Sequence, residues 1–266
     1  MWIDTHCHLD AGEFSGEEAE VAARAAQDRV GWIVIPAVAR VNFDRVAQLA
    51  QENPNCVYAL GIHPIFVPKA TEEDLLHLRE AVAAAMHDAR FVGIGEIGLD
   101  FFVPQLKDGP LRDKQEYFYS EQLKIARDFG LPVLLHVRRS VDIILKYLRR
   151  IGVPGGFAHA FNGSFQQAEE FIRLGFRLGF GGAMTFTRAL QIRRLATQLP
   201  LESIVLETDA PDISPVWVHP GRNSPEELPR IAEVLASLRG VEVEDVARVT
   251  SANALAALPR LASLQA

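Results

Sequence analysis

Close to the start of the chain, residues 2–8 read Trp2-Ile3-Asp4-Thr5-His6-Cys7-His8, a short apolar, β-branched run that closes on two histidines. Side chains alternate across a strand, so His6 and His8 share one face while Cys7 points the other way, and two imidazoles on one face can reach one cation. The same design recurs along the chain. Eight such runs occur: Trp2 to His8, Trp32 to Val38, Val57 to His63, Phe91 to Ile97, Val133 to Val137, Gly156 to Ala160, Phe176 to Gly181 and Ser203 to Asp209. Amphipathic stretches separate them, the pattern of βα units around a parallel sheet. The 266 residues match the size of one (β/α)8 barrel, about 250 residues. The expectation is an α/β fold, a TIM barrel formed as one domain by residues 1–266, with an extra C-terminal helix.

Helix starts are marked by Ser15 with Glu18, Ser164 with Gln167, and Ser224-Pro225 with Glu227, each spaced as a capping box. After the eighth run, helical patterns cover Pro225 to Leu238 and Val243 to Leu258, joined by Arg239-Gly240. The second is expected to close the outer ring of helices, and Leu261 to Ala266 read as a frayed tail.

Composition sets the bounds. Hydrophobic residues make up 48% and charged residues 23%, enough apolar content for a large core. Two cysteines, Cys7 and Cys56, cannot build a disulfide scaffold, and no basic-then-apolar leader follows Met1, so a cytoplasmic protein is expected. No apolar run approaches the roughly 18–20 uncharged residues that span a bilayer, so no membrane role is expected. A net charge of −7 argues against an extended basic surface that coats nucleic acid. A local phosphate site stays open, because divalent cations would supply positive charge there.

Chemistry gathers at the C-terminal ends of the strands, where barrels of this class build their active sites. Glu96 stands in Gly-Ile-Gly-Glu-Ile-Gly-Leu-Asp, flanked by Gly93, Gly95 and Gly98. A buried carboxylate is costly unless it is paired or bound to a cation, so Glu96 either pairs with Arg138 or bridges metal ions. His136 and His159 each cap a strongly apolar strand. One such histidine reads as a core residue; two, after His6, His8 and Glu96, read as ligands. His63, in Gly-Ile-His-Pro, reads as a substrate-side residue or a structural one. Glu207 and Asp209 end the eighth run on one face, with Asp209 nearer the mouth as ligand and proton acceptor, and Glu207 behind it as a support or substrate contact.

Together the segments HCHLD (6–10), GIHP (61–64), GEIGLDF (95–101), PVLLHVR (132–138), HAFNGS (159–164), ETDAP (207–211) and RNSP (222–225) resemble the TatD-type metal-dependent hydrolases and nucleases, over His6 to Pro225. The resemblance implies a distorted TIM barrel of the amidohydrolase type with two divalent ions. It implies His6, His8, Glu96 and Asp209 as ligands of one ion and Glu96, His136 and His159 as ligands of the other, with Mg²⁺, Mn²⁺ or Zn²⁺ all compatible. Glu207 matches the acidic residue before the aspartate, and Arg138 the arginine after the strand-five histidine. Two motifs depart from the family. Its HCFSG reads His159-Ala160-Phe161-Asn162-Gly163 here, and its RNEP reads Arg222-Asn223-Ser224-Pro225. The second change alters substrate contacts in that loop or simply supplies an N-cap. The implied activity is a deoxyribonuclease that cleaves single-stranded DNA with a metal-activated water, with Asp209 as proton acceptor, Arg138 neutralising phosphate, and Arg222 and His63 contacting substrate. Phe161, Phe101 and Phe102 are available for base stacking. The alternatives are hydrolysis of another ester or amide, such as an aminoacyl-tRNA ester, or a catalytically silent metal-binding protein. A monomer is expected.

Overall fold

The structure, a computed structural model, describes residues 1–265. Eight strands alternate with eight helices in the order β1 (Trp2–Asp4), α1 (Glu18–Gln27), β2 (Val30–Pro36), α2 (Phe43–Glu52), β3 (Cys56–Leu60), α3 (Glu72–Ala85), β4 (Phe91–Asp100), α4 (Gly109–Phe129), β5 (Val133–Arg138), α5 (Val141–Ile151), β6 (Gly156–Ala158), α6 (Phe165–Arg173), β7 (Phe176–Phe180), α7 (Leu190–Gln198), β8 (Ile204–Leu206) and α8 (Leu228–Arg239). Each strand pairs in parallel with the next, from β1 through to β8, and the result is a TIM barrel. Two further helices follow, α9 (Val243–Ala257) and α10 (Pro259–Ala262).

All eight expected runs form strands, but β1, β3, β6 and β8 stop early, at Asp4, Leu60, Ala158 and Leu206. His6, His8, His63, His159, Glu207 and Asp209 therefore lie just past the ladder. Two of the bends use left-handed backbone at residues with a Cβ, Ala160 (φ 44°) and Asp209 (φ 57°). Such conformations are held by their surroundings and cluster at functional sites. Here backbone bonds hold Asp209, whose N–H donates to the His6 carbonyl at 2.8 Å.

That bond is part of the seam between first and last strands. Thr5 N–H donates to Leu206 O at 3.1 Å and His8 N–H to Ala210 O at 2.8 Å, with Cys7 bridging to Ala210. Beneath them the buried Asp4 carboxylate accepts from Thr208 N–H (2.9 Å), Thr208 Oγ1–H (2.6 Å) and His6 N–H (3.3 Å). The barrel is closed by the same segments that carry the candidate ligands.

The expectation that the last helix closes the outer ring is corrected. Helix α8 takes that place, and α9 and α10 lie across the N-terminal ends of the strands. Asn253 donates to Leu201 O and Ile204 O at 2.8 Å each, Ser251 to Met1 O, and the Arg260 guanidinium to Phe91 O, Met86 O and Asp88 O. Ala254, Leu258 and Leu261 pack with the barrel interior, including Val34, Val57, Val92, Leu134 and Val205. The frayed-tail expectation fails for the same reason: Leu261 is fully buried in this floor. Ala266 lies outside the described residues. Among the described residues no helix is long and apolar enough to cross a membrane.

Of the three capping boxes, only Ser164 with Gln167 forms. Ser15 instead ends a short 3-10 turn, and the Glu18 carboxylate accepts from Gly16 N–H while pairing with Arg45. Ser224 stands at an N-cap position, but its Oγ is buried without a partner and Glu227 accepts from the Trp217 indole instead.

Leu258→Ala tests the floor. Truncating a fully buried leucine should lower unfolding free energy by about 2–5 kcal/mol, read from urea denaturation. A loss below about 1 kcal/mol would show that α9 and α10 are not part of the core.

Candidate metal centre

Glu96 is the point on which the candidate ligands converge. Its Oε2 lies 3.2 Å from His6 Nε2 and 3.3 Å from His8 Nε2. Its Oε1 lies 2.9 Å from His136 Nδ1, 3.2 Å from His159 Nε2 and 3.3 Å from His63 Nε2. Asp209 Oδ1 completes the first side, 3.7 Å from His6 Nε2 and 3.8 Å from His8 Nε2. Three sets of ligand atoms lie within 4.8 Å of one another: His6, His8 and Asp209; His6, Glu96 and His159; His63, Glu96 and His136.

Local backbone sets this geometry. The β4–β5 register slips between Ile94 and Ile97, and Glu96 N–H donates across to Ala37 O at 2.8 Å. Two residues on, Gly98 has φ 151°, and a Cβ there would strike the His136 carbonyl, so only glycine lets β5 come this close. His63 is fixed from behind: Gln122, buried in α4, accepts from Ile62 N–H (2.7 Å) and donates to Ile62 O (3.1 Å). The loop bearing Asp209 is fixed by Asn223, whose side-chain amide donates to Thr208 O (2.8 Å) and Asp212 O (2.9 Å).

Tautomers follow from these partners. His63 Nδ1 accepts from Ile65 N–H at 3.2 Å, so its proton sits on Nε2 and is donated to Glu96. His136 faces a carboxylate at each ring nitrogen, Asp100 Oδ2 at 3.2 Å from Nε2 and Glu96 Oε1 at 2.9 Å from Nδ1, and both contacts are favourable together only when the ring carries two protons or a cation takes the place of one of them. The Nε2 atoms of His6 and His8 lie 3.2 Å apart, close enough to share a proton or a cation.

Titration behaviour reflects the crowding. Burial alone would push the Glu96 carboxyl up, but the imidazoles of His63, His6 and His159 outweigh it and hold the group well below its ordinary value. Burial, helped by His159, pushes His6 down to about 3. Burial lifts Asp209 to about 6 against the opposing pull of His159 and His8.

The structure thus brings together His6, His8, His63, Glu96, His136, His159 and Asp209. Glu207 stands beside them: its Oε1 accepts from Ala160 N–H at 2.5 Å and lies 3.8 Å from His159 Nδ1. A Cβ at Gly179 would collide with this carboxylate. Arg138 does not pair with Glu96. It is half-exposed at the rim, 3.8 Å from Asp100, with its guanidinium 3.9 Å from the Phe102 ring centre. Arg222 is directed elsewhere, pairing with Glu17 at 3.0 Å over the Phe14 ring, where it ties the β8–α8 segment to the β1–α1 loop. Of the three phenylalanines expected at the mouth, Phe161 is 1% exposed and packs on Phe171, Phe101 lies under Arg112, and only Phe102, 45% exposed, is open.

Two carboxylates escaped the sequence reading. Asp100 orients His136, and it is held down to about 2 because hydrogen bonds from His136 and the Val103 and Phe102 N–H groups overcome the opposing effect of burial. The signal was present, since Asp100 is four residues after Glu96 and shares its face by alternation. Asp4, raised to about 7 by burial, clamps the seam, and lies two residues before His6.

Known proteins bear on this geometry. The family model for TatD related DNase matches residues 3–259. The uncharacterized metal-dependent hydrolase YjjV of Escherichia coli K12 is 41% identical over 253 residues, covering 95% of each chain. A crystal structure of YjjV, a TatD homologue, superposes with a TM-score of 0.91 at 39% identity, covering 97% of this chain and 98% of that one. The human deoxyribonuclease TATDN3 is 31% identical over 267 residues, covering 98% of this chain and 96% of its own. The chain belongs to the TatD family and is a metal-dependent hydrolase.

Proposed function

We propose that this hydrolase cleaves phosphodiester bonds of single-stranded DNA, and that it does so with two divalent ions. The observation that carries the reading is the divided environment of Glu96, one oxygen facing His6 and His8, the other facing His136 and His159. Lone pairs of buried imidazole and carboxylate directed at one another fit a pair of cations. His6, His8, Asp209 and Glu96 would hold one ion, and His136, His159 and Glu96 the other. His63, with its proton on Nε2, supports Glu96 as a donor instead of ligating. The imidazole-rich set suits Zn²⁺ better than Mg²⁺, which favours oxygen ligands and water.

When bound, such ions lower the pKa of water and polarise a phosphoryl oxygen. The chain's own residues supply the remainder. Asp209 takes the proton of the attacking water at its carboxylate, which stands at the barrel mouth 3.7 Å from His6 Nε2 and 3.8 Å from His8 Nε2. Arg138, at the rim beside Asp100, pairs with a phosphate oxygen. Glu207 steadies Ala160 and faces His159 Nδ1, and Asp100 keeps the His136 ring turned toward Glu96. The DNA substrate is supported by the deoxyribonuclease name of the human relative and by a concave barrel mouth that admits a flexible strand end more readily than stiff duplex.

Three outcomes are expected. Elemental analysis of protein grown with each metal should find up to two divalent ions per chain; stoichiometry near zero with no metal-dependent turnover would end the metal assignment. Asp209→Asn should cut kcat by about 10²- to 10⁴-fold while the far-ultraviolet circular dichroism stays unchanged, and a variant keeping more than about a tenth of the rate would show that Asp209 is not the base. With end-labelled substrates, linear single strands should be degraded faster than blunt duplexes or circular single strands. Turnover of aminoacyl-tRNA or simple esters with no cleavage of any DNA would move the assignment to another ester bond.

A further inference from the structure

Beside Glu207 and Asp209 the barrel mouth opens into a groove that no part of the metal centre uses. Ala183 and Ile213 line both the small cavity at the two carboxylates and this groove of about 510 Å³, which runs between the loops following β7 and β8. Its volume falls within the range of roughly 300–1,000 Å³ typical of small-ligand sites. The walls are pre-formed: Thr185 Oγ1 accepts from Val216 N–H at 2.8 Å, joining the two loops, and a Cβ at Gly182 would strike the Ile213 carbonyl.

Its chemistry is specific in kind. Phe186 and His219 form an edge-to-face pair, ring centres 5.5 Å apart at 85°, and the exposed Arg188 guanidinium stands 5.7 Å from the Phe186 ring centre. Ser214 adds a hydroxyl, and no carboxylate lines the groove. An aromatic face, a hydroxyl and an imidazole in the lining and a cation on the rim suit a nucleobase attached to a phosphate.

We propose that this groove seats the base of the nucleotide next to the cleaved phosphodiester, with the base against Phe186 and His219 and Arg188 on the following phosphate. The assignment deepens the single-stranded DNA reading and rests on it. Stacking tolerates any base, so the groove sets a footprint and no sequence preference. Across the mouth, Phe102 is flanked by Arg138 and Arg139, whose guanidiniums already stand over its ring at 3.9 and 4.7 Å, so that face is the less open to a base.

Two measurements test this together. Phe186→Ala, His219→Ala and Arg188→Ala are assayed on thymidine oligonucleotides and on methyl p-nitrophenyl phosphate, a diester without a base. The oligonucleotide KM should rise about tenfold in Phe186→Ala and less in the others, while turnover of the small diester stays at the wild-type level and certifies an intact metal centre. A single 5-iododeoxyuridine, moved along the strand, should photo-crosslink to Phe186 or His219 from one position only. Normal oligonucleotide kinetics in all three variants, or crosslinks confined to Phe102, would overturn the groove and leave the DNA reading standing. A wild-type enzyme that cleaves the small diester but no oligonucleotide would overturn the DNA reading and the groove with it.

Discussion

A carboxylate withdrawn from water keeps its charge only where compensating groups surround it, and Glu96 sits at the centre of this barrel, 1% exposed, among five imidazoles. Each imidazole has a second partner that fixes its direction or a neighbour that restricts it: Asp100 for His136, Ile65 N–H for His63, the stacked ring of His159 for His6 at 4.1 Å. The backbone accommodates the carboxylate locally: the β4–β5 register slips between Ile94 and Ile97, and the glycine at 98 lets the His136 backbone approach. Remove the charge at Glu96 and the five ring nitrogens lose the one group they share, leaving Asp100 to His136 and Asp209 to His6 and His8.

This arrangement couples the centre to the closure of the barrel. The seam between β1 and β8 is short, and its bonds come from Thr5, His6, His8, Thr208, Asp209 and Ala210, with Asp4 joining both sides from below. The placement of the candidate ligands and the closure of the barrel are thus one structural feature. The opposite end is stabilised separately by α9 and α10, whose Leu258 and Leu261 fill the barrel floor. Stability resides at the bottom and in the layers of side chains between, which leaves the mouth free to hold left-handed Ala160 and Asp209.

Much of this was legible in the sequence, for a physical reason. Strand-end histidines and carboxylates in apolar runs have few structural uses, so His6, His8, Glu96, His136, His159 and Asp209 stood out, and the structure gathers all six. Asp100 and Asp4 were not singled out because a carboxylate close to a stronger motif adds no separate signal until its hydrogen-bond partner is known. The floor was unreadable because an amphipathic helix has the same periodicity whether it packs on the outside of a barrel or across its end. Arg222 shows the limit of motif reading: its place in Arg222-Asn223-Ser224-Pro225 suggested substrate, whereas Asn223 clamps the loop and Arg222 pairs with Glu17. The capping pattern at Ser15 failed since Glu18 had a better partner in Arg45, 27 residues away.

The phosphodiester substrate proposed above poses an acidic chain an electrostatic problem that the mouth can answer locally. The net charge of −7 gives DNA no long-range attraction. Three cations stand at the mouth: Arg138 and Arg139 over Phe102 on the β4–β5 side, Arg188 beside Phe186 on the β7–β8 side. In an eight-strand ring ordered β1 to β8 these two sets stand three strands apart, the first beside the strand that carries Glu96. Each pairs a cation with an aromatic ring; under the proposed reading the β7–β8 set takes the base and the arginines over Phe102 are left to phosphate. With so few phosphate contacts, affinity follows from shape and stacking more than from counterion release, and its dependence on salt is correspondingly shallow, about −0.7 in log–log slope per contact on single strands.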